Sequence, residues 1–262
     1  MSKAKNIILQ HAKAEQALPL LSPNSVQAVI ADPPYFEVVG DSWDNQWKTE
    51  EDYLDWTTKW VKASMRVLKE DGLMFIFGQP GKRRQTFLHI MSGLISKGFL
   101  FHDLLVWDRV VGYNDRKDSF TPQYEMILVL RKGDKPVFYK EDTRVPYDKS
   151  TIALYMKDKR YKDPEARKVH LEKGKFSTNI LRIPSLKGAS NEKVGHPTQK
   201  PEKLISLLIK SSTRACDTVL DPFVGSGTTV LEAVRLGRKC IGMDDNSGYI
   251  EMARKRLKSN GW

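Results

Sequence analysis

Two short stretches of the chain carry residue types with chemistry to offer: Asp32-Pro33-Pro34-Tyr35, and the glycine-rich run Asp221-Pro-Phe-Val-Gly-Ser-Gly-Thr-Thr229. The tetrapeptide closes an apolar segment, Val26–Ile30. Its prolines fix the backbone and cannot continue a strand ladder. The Asp32 carboxylate and the Pro33 carbonyl then stand as rigid acceptors, and Tyr35 adds an aromatic face. Two acceptors beside an aromatic plate suit the exocyclic amine of a flat base. They hold its N–H groups and aim the nitrogen lone pair at an electrophile.

In the second stretch, Gly225 and Gly227 lie between a short strand and a helix, where backbone can approach a ligand and the helix start favours polar or anionic groups. No G-K-[ST] follows, so this is not a phosphate-binding P-loop. Val230 stands where a dinucleotide fingerprint would place a third small residue. Asp244 follows the next strand, 23 residues after Asp221, where an acid can accept both hydroxyls of a ribose. Together these features describe a nucleoside-type cofactor site.

Positioning these groups requires alternating strands and helices. Apolar runs predict strands at Ile7–Leu9, Val26–Ile30, Leu73–Phe77, Phe99–Trp107, Tyr124–Leu130, Thr218–Leu220 and Lys239–Met243. Helical patterns cover Ala12–Leu21, about Thr49–Lys69, Lys82–Lys97, Pro201–Ser212, Thr228–Leu236 and Gly248–Lys258. The expected fold is α/β, with a doubly wound, mostly parallel sheet of Rossmann-like type and a small basic insert. The expected divisions are a first core part at 1–130 with the tetrapeptide, an insert at 131–195, and a second core part at 196–262 with the cofactor motif.

The chain has 262 residues, 40% hydrophobic and 29% charged, the balance of an ordinary folded domain. Its net charge is +11, and residues 131–195 hold 17 Lys/Arg against 9 Asp/Glu, a net of +8. Such a concentrated excess is the footprint expected for a polyanionic partner. Candidate contacts to it are Arg144, Lys157, Lys159, Arg160, Lys162, Arg167 and Lys168, with plain surface charge the reading for about half of them. The apolar runs are too short to cross a bilayer and no secretory leader is evident, so a cytoplasmic location is expected. Cys216 and Cys240 form no C-x-x-C pair and the five histidines are scattered, so no metal site is expected. Neither cysteine follows a proline, which disfavours methylation at a cytosine ring carbon through a thiolate.

The tetrapeptide, His196-Pro-Thr-Gln-Lys-Pro201 and the glycine-rich run, in that order, resemble the beta group of DNA amino-methyltransferases that use S-adenosylmethionine. Asp41-Ser-Trp-Asp44 through Trp60, and Arg144-Val-Pro-Tyr147, are similar to modification enzymes of the MboII type. The resemblance implies site-specific transfer of a methyl group to N6 of a flipped-out adenine in duplex DNA, as in restriction-modification. It implies a catalytic pocket of Asp32, Pro33, Pro34 and Tyr35, with Asp32 also near the sulfonium. Asp221, Phe223, Gly225, Ser226, Gly227 and Thr228 would wrap the cofactor, Asp244 would hold its ribose, and Thr198, Gln199, Lys200 and Pro201 would close over its methionine end. It leaves room for a homodimer and for a cognate restriction endonuclease. Gln10-His11-Ala12 departs from the acidic turn that family members often carry there. N4 methylation of cytosine is the alternative within the class, and Asp at the first tetrapeptide position favours adenine. A catalytically silent DNA-binding subunit is the alternative outside it. RNA and protein-glutamine methyltransferases usually place the glycine-rich element before the tetrapeptide, opposite to the order here.

Overall fold

The computed structural model describes residues 6–36, 46–79, 85–112, 117–158, 160 and 162–262. Strand β1 (Ile7–His11) leads to a short helix, α1 (Ala14–Ala17), and a 3-10 turn at Leu18–Leu20. The single helix expected over 12–21 is therefore broken, because Pro19 cannot donate to a continuing helix. Strand β2 (Val26–Ala31) precedes helix α2 (Glu50–Val67). Thr49 caps that helix reciprocally: its hydroxyl accepts from the Asp52 amide at 3.0 Å, and the Asp52 carboxylate accepts from the Thr49 amide at 3.2 Å. Strand β3 (Leu68–Gly78), helix α3 (Thr86–Ser96), β4 (Leu100–Asp108) and β5 (Tyr124–Arg131) follow. The second half holds β6 (Arg144–Val145), α4 (Lys149–Met156), α5 (Pro164–Glu172), β7 (Lys175–Phe176), β8 (Ile180–Arg182), α6 (Glu202–Ser212), β9 (Thr218–Asp221), α7 (Thr228–Arg235), β10 (Lys239–Asp244) and α8 (Ser247–Ser259).

Eight strands form one sheet in the order β1-β10-β9-β2-β3-β5-β4-β8. Pairing is parallel except where β5 runs against β3 and β4. Every residue of β2 is buried, and from Val29 to Ala31 its side chains alternate between two cores as period-two geometry demands. Ile30 joins Leu73, Phe75 and Phe77 of β3 under α6, α7 and α8. Val29 and Ala31 join Met74 and Ile76 under α1, α2 and α3. Burial of each large apolar side chain contributes roughly 1.5–3 kcal/mol. The doubly wound, mostly parallel fold expected from the sequence is the one found.

Chain 131–195 is less separate than its charge pattern implies. Its base is fastened to the end of α6, where the Tyr139 amide donates to the Ser211 carbonyl at 2.7 Å and the Arg214 guanidinium lies 3.3 Å from the Tyr139 ring centre. Strand β8 then rejoins the main sheet beside β4. Three residues, Ile-Leu-Arg, are too short a run to announce a strand within basic text.

Candidate active site

Strands β9 and β2 are neighbours, yet the chain leaves β9 toward α7 on one face and reaches α2 from β2 on the other. That is a topological switch point, where open α/β sheets form a crevice at the carboxyl ends of their strands. Asp221 is the last residue of β9, Asp244 the last of the adjoining β10, and Asp32 follows the last residue of β2. The topology thus brings three sequence-distant carboxylates to one edge. The cleft there has an empty volume of about 1130 Å³, open mouth included. Every residue expected at the catalytic or cofactor site lines it except Gly227 and Pro201.

Gly227 shapes the cleft from behind. It caps α7 at φ +77°, and a Cβ there would sit 2.8 Å from the Ala253 Cβ. Gly225, at φ +45°, donates its amide to Asp244 Oδ2 at 2.9 Å, while the Asn246 amide donates to Oδ1 at 3.0 Å. The Ser226 and Thr228 hydroxyls lie 3.0 Å apart, and Thr228 Oγ1 accepts from buried Arg256 Nη1 at 2.8 Å. Arg256 also donates to Glu202 Oε1 at 2.9 Å, pinning the turn to α6. These two hydroxyls therefore hold the turn together. Gln199 is a brace as well, bonded to the Glu192 carbonyl at 2.6 Å and accepting from the Val194 amide at 3.1 Å. Pro201 caps α6. Phe223 packs edge-on against Trp60, ring centres 5.1 Å apart, and against Trp56 at 5.6 Å.

The tetrapeptide sits opposite. Tyr53 of α2 donates its hydroxyl to the Pro34 carbonyl at 3.0 Å and so anchors the segment to the second core. The Tyr35 hydroxyl donates to Asp32 Oδ1 at 2.6 Å, so this ring forms the wall of the pocket with its polar end turned inward. Lys200 reaches in from the start of α6, with Nζ 2.8 Å from Asp32 Oδ2 and 3.2 Å from Glu125 Oε2. Arg109 Nη1 lies 3.1 Å from Glu125 Oε1. Burial works against the Lys200 charge, but Asp32 and Glu125 outweigh it and raise its pKa. Burial, then the same two carboxylates, push Tyr35 well above 10, so its hydroxyl stays protonated. Sequence reasoning missed Glu125, Arg109 and His196. Lys200, which the resemblance implies at the methionine end of the cofactor, has its ammonium on Asp32.

His196 stacks edge-on against Tyr249, ring centres 4.5 Å apart. Burial, and then the Lys200 charge, bring its pKa down to about 4 in spite of Asp32, so it is neutral near pH 7. Asp221 moves the other way, pushed up to about 7 by burial against hydrogen bonds from Thr229 and the Phe223 amide. Among the acidic and basic side chains lining the cleft are Glu15, Asp32, Asp221, Asp244 and Asp245, against Lys13 and Lys200. In a chain of net charge +11, this acidic lining is a local exception. It suits a ligand that is cationic and lacks phosphate, and opposes a dinucleotide.

The basic candidates divide. Arg144 donates to Glu141 at 2.8 Å and to the Gly174 carbonyl at 2.8 Å, and lies over Phe176. Arg167 is buried and donates to the Asp158 carbonyl at 2.9 Å. Both hold the insert together. Arg160 is paired with Asp158 at 2.7 Å. Lys157, Lys162 and Lys168 are exposed. Lys159, and the stretch Asp41–Asp44, lie outside the described residues. Helix α4 contributes no residue to either core, and its Leu154 is 66% exposed. Among the described residues, no helix is long and apolar enough to cross a membrane.

The comparisons with known proteins agree with this arrangement. Residues 26–255 match the N6/N4 family model described as DNA methylase. The chain is 31% identical over 234 residues to the type II methyltransferase M1.MboII of Moraxella bovis, covering 87% of this chain and 88% of that one. It is 32% identical over 259 residues to the DNA adenine methyltransferase YhdJ of Escherichia coli (strain K12), covering 98% and 83%. The structure of M1.HpyAVI in complex with SAM superposes with a TM-score of 0.59 at 26% identity, covering 96% of this chain and all of that one. With its family motifs gathered at one cleft and the match running through nearly the whole chain, this protein belongs to the N6/N4 DNA methylase family.

Proposed function

We propose that the protein transfers a methyl group from S-adenosylmethionine to the exocyclic N6 of a specific adenine flipped out of duplex DNA, as part of a restriction-modification function. The observation that carries this reading is the placement of Asp32 beside an acid-lined cleft at the switch point, whose charge suits a cationic ligand better than a phosphate. S-adenosylmethionine supplies an activated methyl group on a sulfonium and carries one net positive charge. Asp244, with both oxygens already oriented by backbone amides, is placed to accept from its ribose. Asp221 and the Phe223 ring would flank the rest of it. Asp32 and the Pro33 carbonyl would accept the two N–H groups of the target amine and point its lone pair across the cleft. The chemistry is orientation and electrostatics, with the target base extruded from the stack because its amine is unreachable within a duplex. The name of the relative YhdJ, a DNA adenine methyltransferase, supports adenine, and the fold itself does not choose between adenine and cytosine. A mixed-sequence duplex and one of the same sequence with purine, which lacks the 6-amino group, in place of adenine test the choice: label from methyl-labelled cofactor is expected in the first and absent from the second. Equal label in both would overturn the adenine assignment.

The segment 131–195 is proposed as the part that grips DNA, through exposed lysines. Replacing Lys157, Lys162 and Lys168 together with alanine should leave the fold intact and flatten the salt dependence of DNA binding. Each lost phosphate contact removes roughly 0.9 from the slope of log K against log salt. An unchanged slope in binding isotherms taken from low to moderate salt would remove these residues from the interface.

Cofactor affinity should depend on pH through Asp221. Its carboxylate form attracts the cationic ligand, so binding should tighten as pH rises through about 7, with proton release that makes the calorimetric heat depend on the buffer. Without ligand the sign reverses. The stability this group lends is fully present below its ordinary value of 3.8 and is lost as pH rises through about 7. Asp221→Asn should flatten both dependences, and a variant with the wild-type pH profile would refute the role.

A further inference from the structure

Both oxygens of Asp32 are engaged before any base arrives. Oδ1 takes the Tyr35 hydroxyl at 2.6 Å and Oδ2 takes the Lys200 ammonium at 2.8 Å. A target amine held by Asp32 must share an oxygen that already has a donor, or displace that donor within a largely buried pocket. A donor displaced there without a new acceptor would carry the full cost of desolvation. Glu125 removes that cost. Its Oε2 lies 3.2 Å from Lys200 Nζ and 3.4 Å from the Tyr35 hydroxyl, so a single oxygen stands ready for both donors. Lys200 needs only a small swing and Tyr35 only a rotation of its O–H, because both are already near Glu125. The Glu125 side chain is 3% exposed, so solvent does not compete, and Arg109 on Oε1 compensates its charge. Buried ion sets of this kind are weak contributors to stability compared with apolar packing, so stability alone is a poor account of this one.

We infer that Glu125 is a positioning residue: it receives the Lys200 ammonium when the target amine takes its place on Asp32 Oδ2, and stands within reach of the Tyr35 hydroxyl. This rests on the transfer reading given above. Lys200 is then a placeholder that keeps Asp32 paired in the empty pocket and moves aside for the base. Glu125 itself does not touch the substrate.

The test has a kinetic and a structural arm. Glu125→Gln should lower the single-turnover methyl-transfer rate at saturating DNA and cofactor by tenfold or more, with dissociation constants for both within twofold of wild type. A rate within twofold of wild type, or a loss shared equally by binding, would overturn the inference, since a merely structural role would not spare affinity. The second arm uses the wild-type protein crystallised with its target duplex and S-adenosylhomocysteine. The expected complex has the adenine amine on Asp32 Oδ2 and Lys200 held by Glu125 alone. A complex in which Lys200 remains on Asp32 with the base in the pocket would refute it. Should wild-type protein leave adenine unmethylated in every duplex tried, the transfer reading fails and this inference falls with it. An active wild type with an unaffected Glu125→Gln variant condemns this inference alone.

Discussion

Asp32→Ala is expected to lower the methyl-transfer rate at least a thousandfold while DNA affinity stays within about threefold, a loss of about 4 kcal/mol of transition-state stabilisation. Removal of one preorganised polar group from a reacting centre commonly costs about a hundredfold to a thousandfold. Here the loss is compounded, because Asp32 is also the partner of Tyr35 and Lys200. Without it both donors settle on Glu125, and the target amine meets a pocket short of its charged acceptor. On the proposal that exposed lysines of 131–195 grip the DNA, its affinity should survive. Single-turnover transfer and filter binding on the same preparation separate the two effects. Transfer within tenfold of wild type would remove Asp32 from the catalytic role.

Asp244→Ala should act on the cofactor instead, weakening its binding about thirtyfold to a hundredfold with DNA affinity unchanged. A hydrogen bond to a charged acceptor contributes about 1.5–3 kcal/mol, and this carboxylate is placed to take ribose hydroxyls. Its removal also strands the Gly225 and Asn246 amides, which now donate to it at 2.9 Å and 3.0 Å. The turn carrying Gly225 would loosen, adding to the loss. Titration calorimetry with S-adenosylmethionine measures this directly. A dissociation constant equal to that of wild type would show that Asp244 only braces the turn.

The parts legible from sequence were those set by local rules. Two prolines after an apolar run had to end a strand, and Asp32 does follow β2. Two glycines at the end of another strand had to make a tight turn, and both adopt positive φ. The helical pattern beginning at about Thr49 marks the start of α2, which Thr49 caps. What stayed hidden depends on partners far along the chain. Glu125 sits among apolar residues of β5 and reads as part of a core strand. Its meaning appears only when the antiparallel pairing with β3 and β4 carries it to the same edge as Tyr35, 90 residues away in sequence. Lys200 belongs to a motif associated with the cofactor, but its direction is decided by two buried carboxylates. Arg144 and Arg167 are among the candidate contacts to a polyanion in the sequence, and only tertiary contacts show them committed to the insert. Composition reports that a cation is present, whereas its neighbours decide whether it is available.

The central claim is that the amine held at Asp32 is N6 of adenine in DNA. Protein incubated with methyl-labelled S-adenosylmethionine and mixed-sequence duplex DNA, followed by digestion to nucleosides and chromatographic separation, tests it most directly. The predicted result is label confined to N6-methyladenine and absent when Asp32→Ala protein is used. Label in N4-methylcytosine would contradict the assignment of the base, and an absence of label from every nucleoside would contradict the account of the site.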